Sequence, residues 1–303
     1  MQATLLVIAG PTAVGKTSLS IQLAQHFNTE IISADSRQFY KELSIGTAKP
    51  SVEEMQEVKH HFVDSHSIHQ DFNVNDYEHE VIPLLDNLFQ THPIVILTGG
   101  SGLYLDAICN GFDADLPEGN VEIRAELNQI YQKYGIGLLQ EKLKQLDPDF
   151  YHEIDLHNVK RVIRAIEVCV LAKQPYSILR KGKKQTRNFR IIKIALNRPK
   201  VELNERINKR VEIMMEQGLL QEAESVYSFK EKNALNTVGY KELFDYIEHK
   251  TTLEIAVEKI KVNTRRYAKR QIAWFERSED YKWFHPNQYT DMIDYIETNL
   301  TTK

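Results

Sequence analysis

The sequence predicts an α/β protein with a P-loop parallel-sheet core, a helical insertion domain and a helical C-terminal region. Three observations support this fold class. The apolar run "TLLVIA" passes through a glycine loop into a segment with helical spacing. Further short apolar runs end in polar or glycine residues, as expected of buried parallel strands that open onto a ligand crevice. After Pro199, helical periodicity continues almost to the last residue.

The core begins with a strand, a loop and a helix. In the helix "TSLSIQLAQHF", Leu19, Leu23 and Phe27 recur at helical spacing. The runs "TEIISAD" and "HPIVILTGG" predict two more strands, and "FRIIKIAL" at residues 189–196 predicts a fourth. These segments indicate a parallel sheet.

A long helical stretch separates the third and fourth predicted strands, and it is too long for a simple crossover. We therefore assign residues 118–187 to a helical insertion domain, and residues 1–117 and 188–303 to the core with its C-terminal helices. An apolar helical stripe within the insertion consists of Val159, Val162, Ile163, Ile166 and Val170. The basic loop "RKGKKQTRNFR" closes the insertion.

The C-terminal region contains two clear helix signals. "VELNERINKRVEIMMEQG" predicts a helix that stops at Gly218. Thr251 and Glu254 form a capping-box pattern that predicts a long helix through Arg277.

Composition limits the class of protein. The chain has 303 residues, is 42% hydrophobic and carries a formal net charge of -4, so it has a large core and is not a polycation. Any nucleic-acid site must come from local basic clusters. The only cysteines, Cys109 and Cys169, have no zinc or dithiol spacing, and the histidines at 60, 61, 66 and 69 fit no ordinary zinc pattern. We expect a cytoplasmic enzyme, a monomer, with no membrane contact.

The stretch "VIAGPTAVGKTSLS" has the glycine, lysine and threonine spacing of a phosphate-binding loop, in the required strand-to-helix context. Backbone N–H groups and the helix N-terminus would bind phosphate oxygens, and Lys16 adds a full positive charge. Thr17 can ligate Mg²⁺, the one cofactor that we expect.

A carboxylate should decide what happens to the bound phosphates. Enzymes that hydrolyse nucleotides hold magnesium with an acid at the end of a later strand, but "PIVILTGGSG" ends without one. Asp35 instead ends the preceding strand, and it would lie beside the phosphate loop if the two strands pair as neighbours. Asp35 could accept a proton from a nucleophile. A helix cap and a magnesium ligand are the alternative roles.

Arginines and basic strips suggest further contacts. Arg206 and Arg210 lie one helical turn apart and, with Arg124, could clamp a leaving diphosphate or could simply be solvated. Basic strips at residues 160–164, 180–190 and 259–270 alternate with aromatic residues, a mixture suited to RNA, although basic helices are often only solvated faces.

Seven segments in this order resemble the tRNA dimethylallyltransferase family, from about Leu5 to Trp274: "GPTAVGKT", "ADSRQFYKELSIGTAKP", "TGGSGLY", "VKRVIRAIEV", "RINKRVEIMMEQGLLQE", "NTVGYKE" and "NTRRYAKRQIAWF". The resemblance implies transfer of a dimethylallyl group from dimethylallyl diphosphate to N6 of the adenosine on the 3′ side of the anticodon in tRNA. Diphosphate would leave intact, and the insertion domain would contact the tRNA.

The resemblance also implies roles for individual residues. Asp35 would be the general base, with Thr17 at the junction of leaving group and acceptor. The diphosphate would be held by Gly10, Pro11, Thr12, Ala13, Val14, Gly15, Lys16, Thr17, Arg124 and Arg210. The tRNA would contact Asp35, Ser36, Arg37, Gln38, Ser101, Lys160, Arg161, Val162, Ile163, Arg164, Gly239, Tyr240, Lys241 and the segment 263–271, in which Arg265, Arg266, Lys269 and Arg270 are basic.

Two departures from the family pattern are visible. Ser101 stands where the family commonly carries threonine, so we expect the tRNA contact to persist with looser packing. No cysteine-histidine pair follows the long C-terminal helix, so we expect no zinc-finger extension. Three other functions remain open: an isopentenyltransferase acting on free adenine nucleotides, an ATP-dependent small-molecule or nucleotide kinase, and a non-catalytic RNA-binding module.

Overall fold

The computed structural model describes residues 2–111, 116–180 and 185–301. Within them, six strands form one parallel sheet. The strands are β1 Thr4–Ala9, β2 Ile31–Ser33, β3 His60–His61, β4 Ile94–Gly99, β5 Arg190–Leu196 and β6 Lys282–Phe284. Their order across the sheet is β3-β2-β4-β1-β5-β6. The predicted α/β class is therefore confirmed.

Helices account for most of the remaining described residues. They are α1 Lys16–Phe27, α2 Val52–Glu57, α3 Val74–Leu88, α4 Gly102–Asn110, α5 Val121–Tyr134, α6 Ile136–Leu146, α7 Pro148–Glu153, α8 Val159–Ala172, α9 Tyr176–Leu179, α10 Lys200–Glu216, α11 Leu219–Val226, α12 Tyr240–Ile247, α13 Leu253–Phe275 and α14 Tyr289–Thr301. Among the described segments, none of these helices combines the length and apolar character needed to cross a membrane.

The chain divides into two compact units. The core unit spans Met1–Asn110 and Arg187–Lys303, and the helical unit spans Gly111–Thr186. The core unit contains the whole sheet, whereas the helical unit is built from α5 to α9.

Strand β1 lies at the centre of the core unit and is buried along its whole length. Its alternate side chains enter two apolar clusters, with Leu5 and Val7 in one and Leu6 and Ile8 in the other. Each such buried side chain contributes roughly 1.5–3 kcal/mol of transfer free energy. The burial of both faces explains why these strands appear in the sequence as continuous apolar runs.

The strand order bears on the position of Asp35. The position of Asp35 beside the phosphate loop was made conditional on β1 and β2 pairing as neighbours, and they do not, because β4 lies between them and pairs with both. The six-residue β4 matches β1 in register from Thr4 opposite Ile94 to Ala9 opposite Gly99, whereas β2 has only three residues. A longer apolar strand forms more ladder hydrogen bonds with the central strand, which favours this order.

Two local expectations also change. The cap of the long C-terminal helix is Thr252, not Thr251, because the Thr252 side chain accepts a hydrogen bond from the Ile255 N–H. The predicted apolar stripe of α8 is shorter than expected. Val162 and Ile166 are fully buried in the core of the helical unit, but Val170 is 40% exposed.

Candidate active site

The phosphate loop connects β1 to α1 at the carboxyl edge of the sheet. Gly10 has φ +148°, and a Cβ at this position would lie 2.9 Å from the Leu196 carbonyl oxygen, so glycine is required. Gly15 has φ +113° and directly precedes Lys16, the first residue of α1. The first N–H groups of a helix have no partner within the helix, and its dipole favours negative charge there. The loop therefore has the geometry of an anion site.

Lys16 is held against this loop. Its Nζ donates hydrogen bonds to the carbonyl oxygens of Gly10, at 2.9 Å, and Pro11, at 2.8 Å. Burial lowers the pKa of Lys16 to about 8, and the neighbouring Arg210 charge also lowers it, while the Asp35 carboxylate opposes the shift. Lys16 consequently changes its charge near physiological pH.

Three arginines contact successive residues of the loop. Arg198 Nε donates to the Val14 carbonyl at 2.7 Å, and Arg206 Nε donates to the Ala13 carbonyl at 2.8 Å. Arg210 Nη1 lies 3.4 Å from Thr12 Oγ1.

The pair Arg206 and Arg210 was expected from the sequence, whereas Arg198 was missed. The position of Arg198 just after β5 was the available signal, because the residues that follow parallel strands meet at one edge of the sheet.

Asp35 follows β2 at the same edge. Its Oδ1 accepts a hydrogen bond of 3.0 Å from the Arg37 N–H, which is local turn capping. Its other oxygen, Oδ2, makes no hydrogen bond within the described part of the chain. The Asp35 charge acts on Lys16 and Arg210, so the structure brings the carboxylate and the phosphate loop together although β4 separates their strands.

Ser101 lies between α13 and the loop that follows β2, which contains Asp35 and is named the Asp35 loop. The Ser101 Oγ accepts a hydrogen bond of 3.2 Å from the Ser36 N–H and lies 3.3 Å from Ser36 Oγ, and the hydroxyl is also near the side chain of Tyr267 on α13. Burial, together with the smaller effect of the Asp35 charge, raises the pKa of Tyr267 to about 12, so the phenol stays protonated. The hydroxyl of Ser101 is therefore engaged in a hydrogen bond within the protein.

Gln38 has an internal role in the Asp35 loop. Its Oε1 accepts from Ser33 Oγ at 3.2 Å, and its Nε2 donates to the carbonyl oxygens of Thr47 and Ala48 at 3.2 and 3.1 Å. Arg37 is half-buried like Gln38, but its side chain makes no hydrogen bond within the described residues, so it is the better placed of the two for an RNA contact.

Helix α13 presents a basic face. Arg266, Lys269 and Arg270 are exposed, and the Arg270 guanidinium lies 5.8 Å from the centre of the Tyr267 ring. Arg265 differs from them because it is half-buried and bonds Asn208 Oδ1.

The segment 239–241 is mostly internal. The N–H of Gly239 donates to Glu242 Oε2 at 2.8 Å. The Tyr240 side chain is buried, whereas Lys241 is exposed. Lys241 is therefore the member of this segment that a ligand can reach.

Five of the predicted tRNA contacts and Arg124 belong to the helical unit. Arg124 Nε and Arg164 Nη1 each lie 2.8 Å from an oxygen of Glu167, which is fully buried. Lys160 and Arg161 are exposed, but Val162 and Ile163 pack in the core of the unit. Lys160 and Arg161 are the members of this segment positioned for solution contacts, and the role of Arg124 on the diphosphate stays a prediction.

Two basic residues of the 180–190 strip, Arg187 and Arg190, are bonded inside the core unit. Arg187 forms a buried ion pair of 2.6 Å with Glu78, and Phe189 packs in the core, so neither is a surface RNA contact here. Arg190 donates to the Leu300 carbonyl at 3.2 Å. Residues 181–184 of this strip lie outside the described residues.

A magnesium ion would rely on few protein ligands. Thr17 lies in the first turn of α1, and the described residues contain no group of three His, Cys, Asp or Glu side chains able to hold a metal. If Mg²⁺ binds at the Thr17 hydroxyl, phosphate oxygens and water would supply its other ligands.

A parallel α/β core with a phosphate loop and a carboxylate at the same edge defines a P-loop group-transfer protein. The sequence profile described as IPP transferase matches residues 38–278. The chain is 50% identical over 303 residues to the tRNA dimethylallyltransferase of Flavobacterium johnsoniae, covering 98% of each chain. It is 47% identical over 297 residues to tRNA dimethylallyltransferase 1 of Bacteroides fragilis, again covering 98% of each. The chain belongs to the IPP transferase family.

Solved structures agree with this assignment. The tRNA isopentenylpyrophosphate transferase of Bacillus halodurans superposes with a TM-score of 0.73 at 35% identity, covering 99% of this chain and 97% of that one. A eukaryotic dimethylallyltransferase described as acting on tRNA superposes with a TM-score of 0.76 at 28% identity, covering 89% of this chain and 69% of that one. The resemblance inferred from the seven sequence segments is confirmed.

Proposed function

We propose that this protein transfers a dimethylallyl group from dimethylallyl diphosphate to N6 of the adenosine on the 3′ side of the anticodon in tRNA. The bond between the allylic C1 and the diphosphate oxygen breaks, and the oxygen keeps the electron pair. A bond forms between C1 and N6, and one N6 proton passes to Asp35. The products are diphosphate and N6-dimethylallyladenosine.

The observation that carries this proposal is the position of Asp35 Oδ2. It is not hydrogen bonded within the described residues, yet it lies in the electrostatic reach of Lys16 and Arg210 on the phosphate loop. A base and a diphosphate site at one edge are what the transfer requires. Because Oδ1 is held by the Arg37 N–H, the orientation of the second oxygen is restrained as well.

The diphosphate would be stabilised as it leaves by the start of α1, the Lys16 ammonium and the Arg210 guanidinium. Such preorganised charge is worth most where negative charge develops in the transition state. Arg198 and Arg206 bond carbonyls of the loop, so we assign them mainly to holding its shape. When bound at Thr17, Mg²⁺ would neutralise part of the diphosphate charge.

The acceptor tRNA would bind through exposed basic residues. Arg266, Lys269 and Arg270 form such a face on α13, and Lys160 and Arg161 form one on α8. The target adenosine would have to leave the stack of the anticodon loop to reach Asp35. Cytoplasmic location and a monomeric state complete the proposal.

Mass analysis of tRNA nucleosides tests this function. The protein is incubated with magnesium, unmodified tRNA and either dimethylallyl diphosphate or ATP, and a parallel reaction replaces tRNA with AMP. A dimethylallyl mass gain on one adenosine of tRNA, dependent on the allylic donor, is expected. Prenylation of AMP alone would support a free-nucleotide acceptor. Phosphate transfer from ATP without prenylation would support a kinase.

A further inference from the structure

The side chain of Gln271 connects two loops of the active site. Its Oε1 accepts a hydrogen bond of 2.9 Å from the Thr12 N–H in the phosphate loop. Its Nε2 donates a hydrogen bond of 2.9 Å to the Gly100 carbonyl. Gln271 is only 6% exposed, so this contact is internal although the residue lies within the segment that we expected to bind tRNA.

Gln271 contacts the turn at residues 99–102, here named the glycine turn, which lies between the phosphate loop and the Asp35 loop. This follows from the sheet order, because β4 separates β1 from β2 and the turn directly follows β4. A Cβ on Gly99 would lie 2.6 Å from the Ala34 carbonyl oxygen, one residue before Asp35. A Cβ on Gly100 would overlap Gln271 Nε2 and would lie 3.4 Å from the Gly10 carbonyl oxygen. The turn is therefore packed tightly against both loops.

The same helix also fixes the far side of this turn. Tyr267 lies one helical turn before Gln271 on α13 and is near Ser101, whose hydroxyl accepts a hydrogen bond from the Ser36 N–H. Two neighbouring side chains of one helix thus lie near the same turn, and Ser101 of this turn is bonded to the Asp35 loop. Of the two, Gln271 is the one that contacts the phosphate loop directly.

We propose that Gln271 is a positioning residue for the transfer reaction, setting the distance between the bound diphosphate and the Asp35 carboxylate. The inference rests on the function proposed above. An amide suits this task because it accepts with one atom and donates with the other. Misplacement of reacting groups by about 1 Å can cost roughly 100-fold in rate, so a small change in loop spacing would be visible in kcat.

Two variants separate positioning from general stability. Gln271→Met keeps the volume but loses both hydrogen bonds. Gln271→Glu keeps the acceptor for Thr12, but as a carboxylate it places an oxygen against the Gly100 carbonyl. Once protonated, the introduced carboxyl could again donate to that carbonyl.

Thr29→Val is the matched control. Thr29 is buried in the same core unit, and its hydroxyl donates to the Ile94 carbonyl at the amino end of β4, away from the site. The change therefore removes a buried bond between side chain and backbone without touching either loop.

Steady-state transfer kinetics, thermal denaturation and titration with inorganic diphosphate are measured on the wild type and the three variants. We expect Gln271→Met to lower kcat by about 10- to 100-fold and to weaken diphosphate binding, while tRNA affinity is unchanged. Thr29→Val should lower only the melting temperature. The ratio of Gln271→Glu activity to wild-type activity should rise as the pH is lowered from about 8.5 to about 6, because the introduced carboxyl gains a proton.

Unchanged kcat and diphosphate affinity in Gln271→Met, with a melting temperature lowered as in Thr29→Val, would overturn the proposal. So would a flat pH ratio for Gln271→Glu. Failure of the wild-type protein to prenylate tRNA would instead count against the proposed function. The diphosphate titration still tests Gln271 in that case, because it requires no turnover.

Discussion

The hydroxyl of Tyr240 donates a hydrogen bond of 2.6 Å to Oε1 of Glu222. The same carboxylate accepts hydrogen bonds of 2.8–2.9 Å from the N–H groups of Ser44, Ile45 and Gly46. The Tyr240 ring is completely buried, and burial raises the pKa of its phenol, with the Glu222 charge contributing. Glu222 on α11 therefore joins α12 to the loop that follows the Asp35 segment.

We predict that Tyr240→Phe lowers the free energy of unfolding by about 1.5–3 kcal/mol, because it removes a hydrogen bond to a charged group. Urea denaturation followed by circular dichroism measures this change. Tyr246→Phe is the control on the same helix, since the Tyr246 hydroxyl makes no hydrogen bond among the described residues. A loss of tRNA affinity without loss of stability in Tyr240→Phe would instead indicate direct RNA contact.

Replacement of Asp35 by asparagine should slow transfer about 10²- to 10⁴-fold, the usual contribution of a positioned base. Asparagine retains an oxygen for the Arg37 N–H, so the turn is preserved while the basic oxygen is lost. Single-turnover transfer and tRNA binding are measured together, with the exposed Asp86→Asn as control. Normal turnover in Asp35→Asn would exclude Asp35 as the base.

Diphosphate affinity should decrease as the pH rises through about 8, where Lys16 loses its proton. The sign follows from the charge: the ammonium form predominates below this pH and attracts the anion, and the neutral amine above it does not. Calorimetric titration of inorganic diphosphate is compared with Lys16→Arg, whose guanidinium stays charged. The ratio of the two affinities removes the ligand's own titration. A ratio independent of pH would contradict the lowered pKa.

The double variant Arg266→Ala and Arg270→Ala should weaken tRNA binding and reduce its salt dependence, since each phosphate contact contributes about one unit to the slope. Filter binding at several salt concentrations provides the measurement. Lys232→Ala combined with Lys282→Ala removes the same charge from exposed positions outside α13. Equal slopes in the two double variants would mean that this face of α13 does not bind tRNA.

The local features of the core were predictable because they depend on short-range patterns. The phosphate loop, Asp35 after a strand and the Arg206 and Arg210 pair each follow from spacing within a few residues. The strand order was not predictable, since the apolar pattern of β4 shows that it is buried but not which strands flank it. Arg198 was missed as a site residue, and the contact of Gln271 with the phosphate loop was missed, for the same reason: their partners lie far away in the sequence.

Burial also separated residues that the sequence motifs group together. Val162, Ile163 and Tyr240 lie in segments with the pattern of RNA contacts, yet their side chains pack inside the protein. Lys160, Arg161 and Lys241 in the same segments are exposed. A motif marks a stretch of chain, and only the fold shows which of its side chains face outward.

Trp274 lies on the side of α13 that contacts the glycine turn. Its Nε1 donates to Asp106 Oδ2 at 2.8 Å, and its indole ring occupies the space that a Cβ on Gly102 would need. Positions 102 and 274 therefore cannot vary independently. In a mutational library we expect larger residues at 102 to survive only in combination with a smaller residue at 274, so that two positions far apart in the chain would change as a pair.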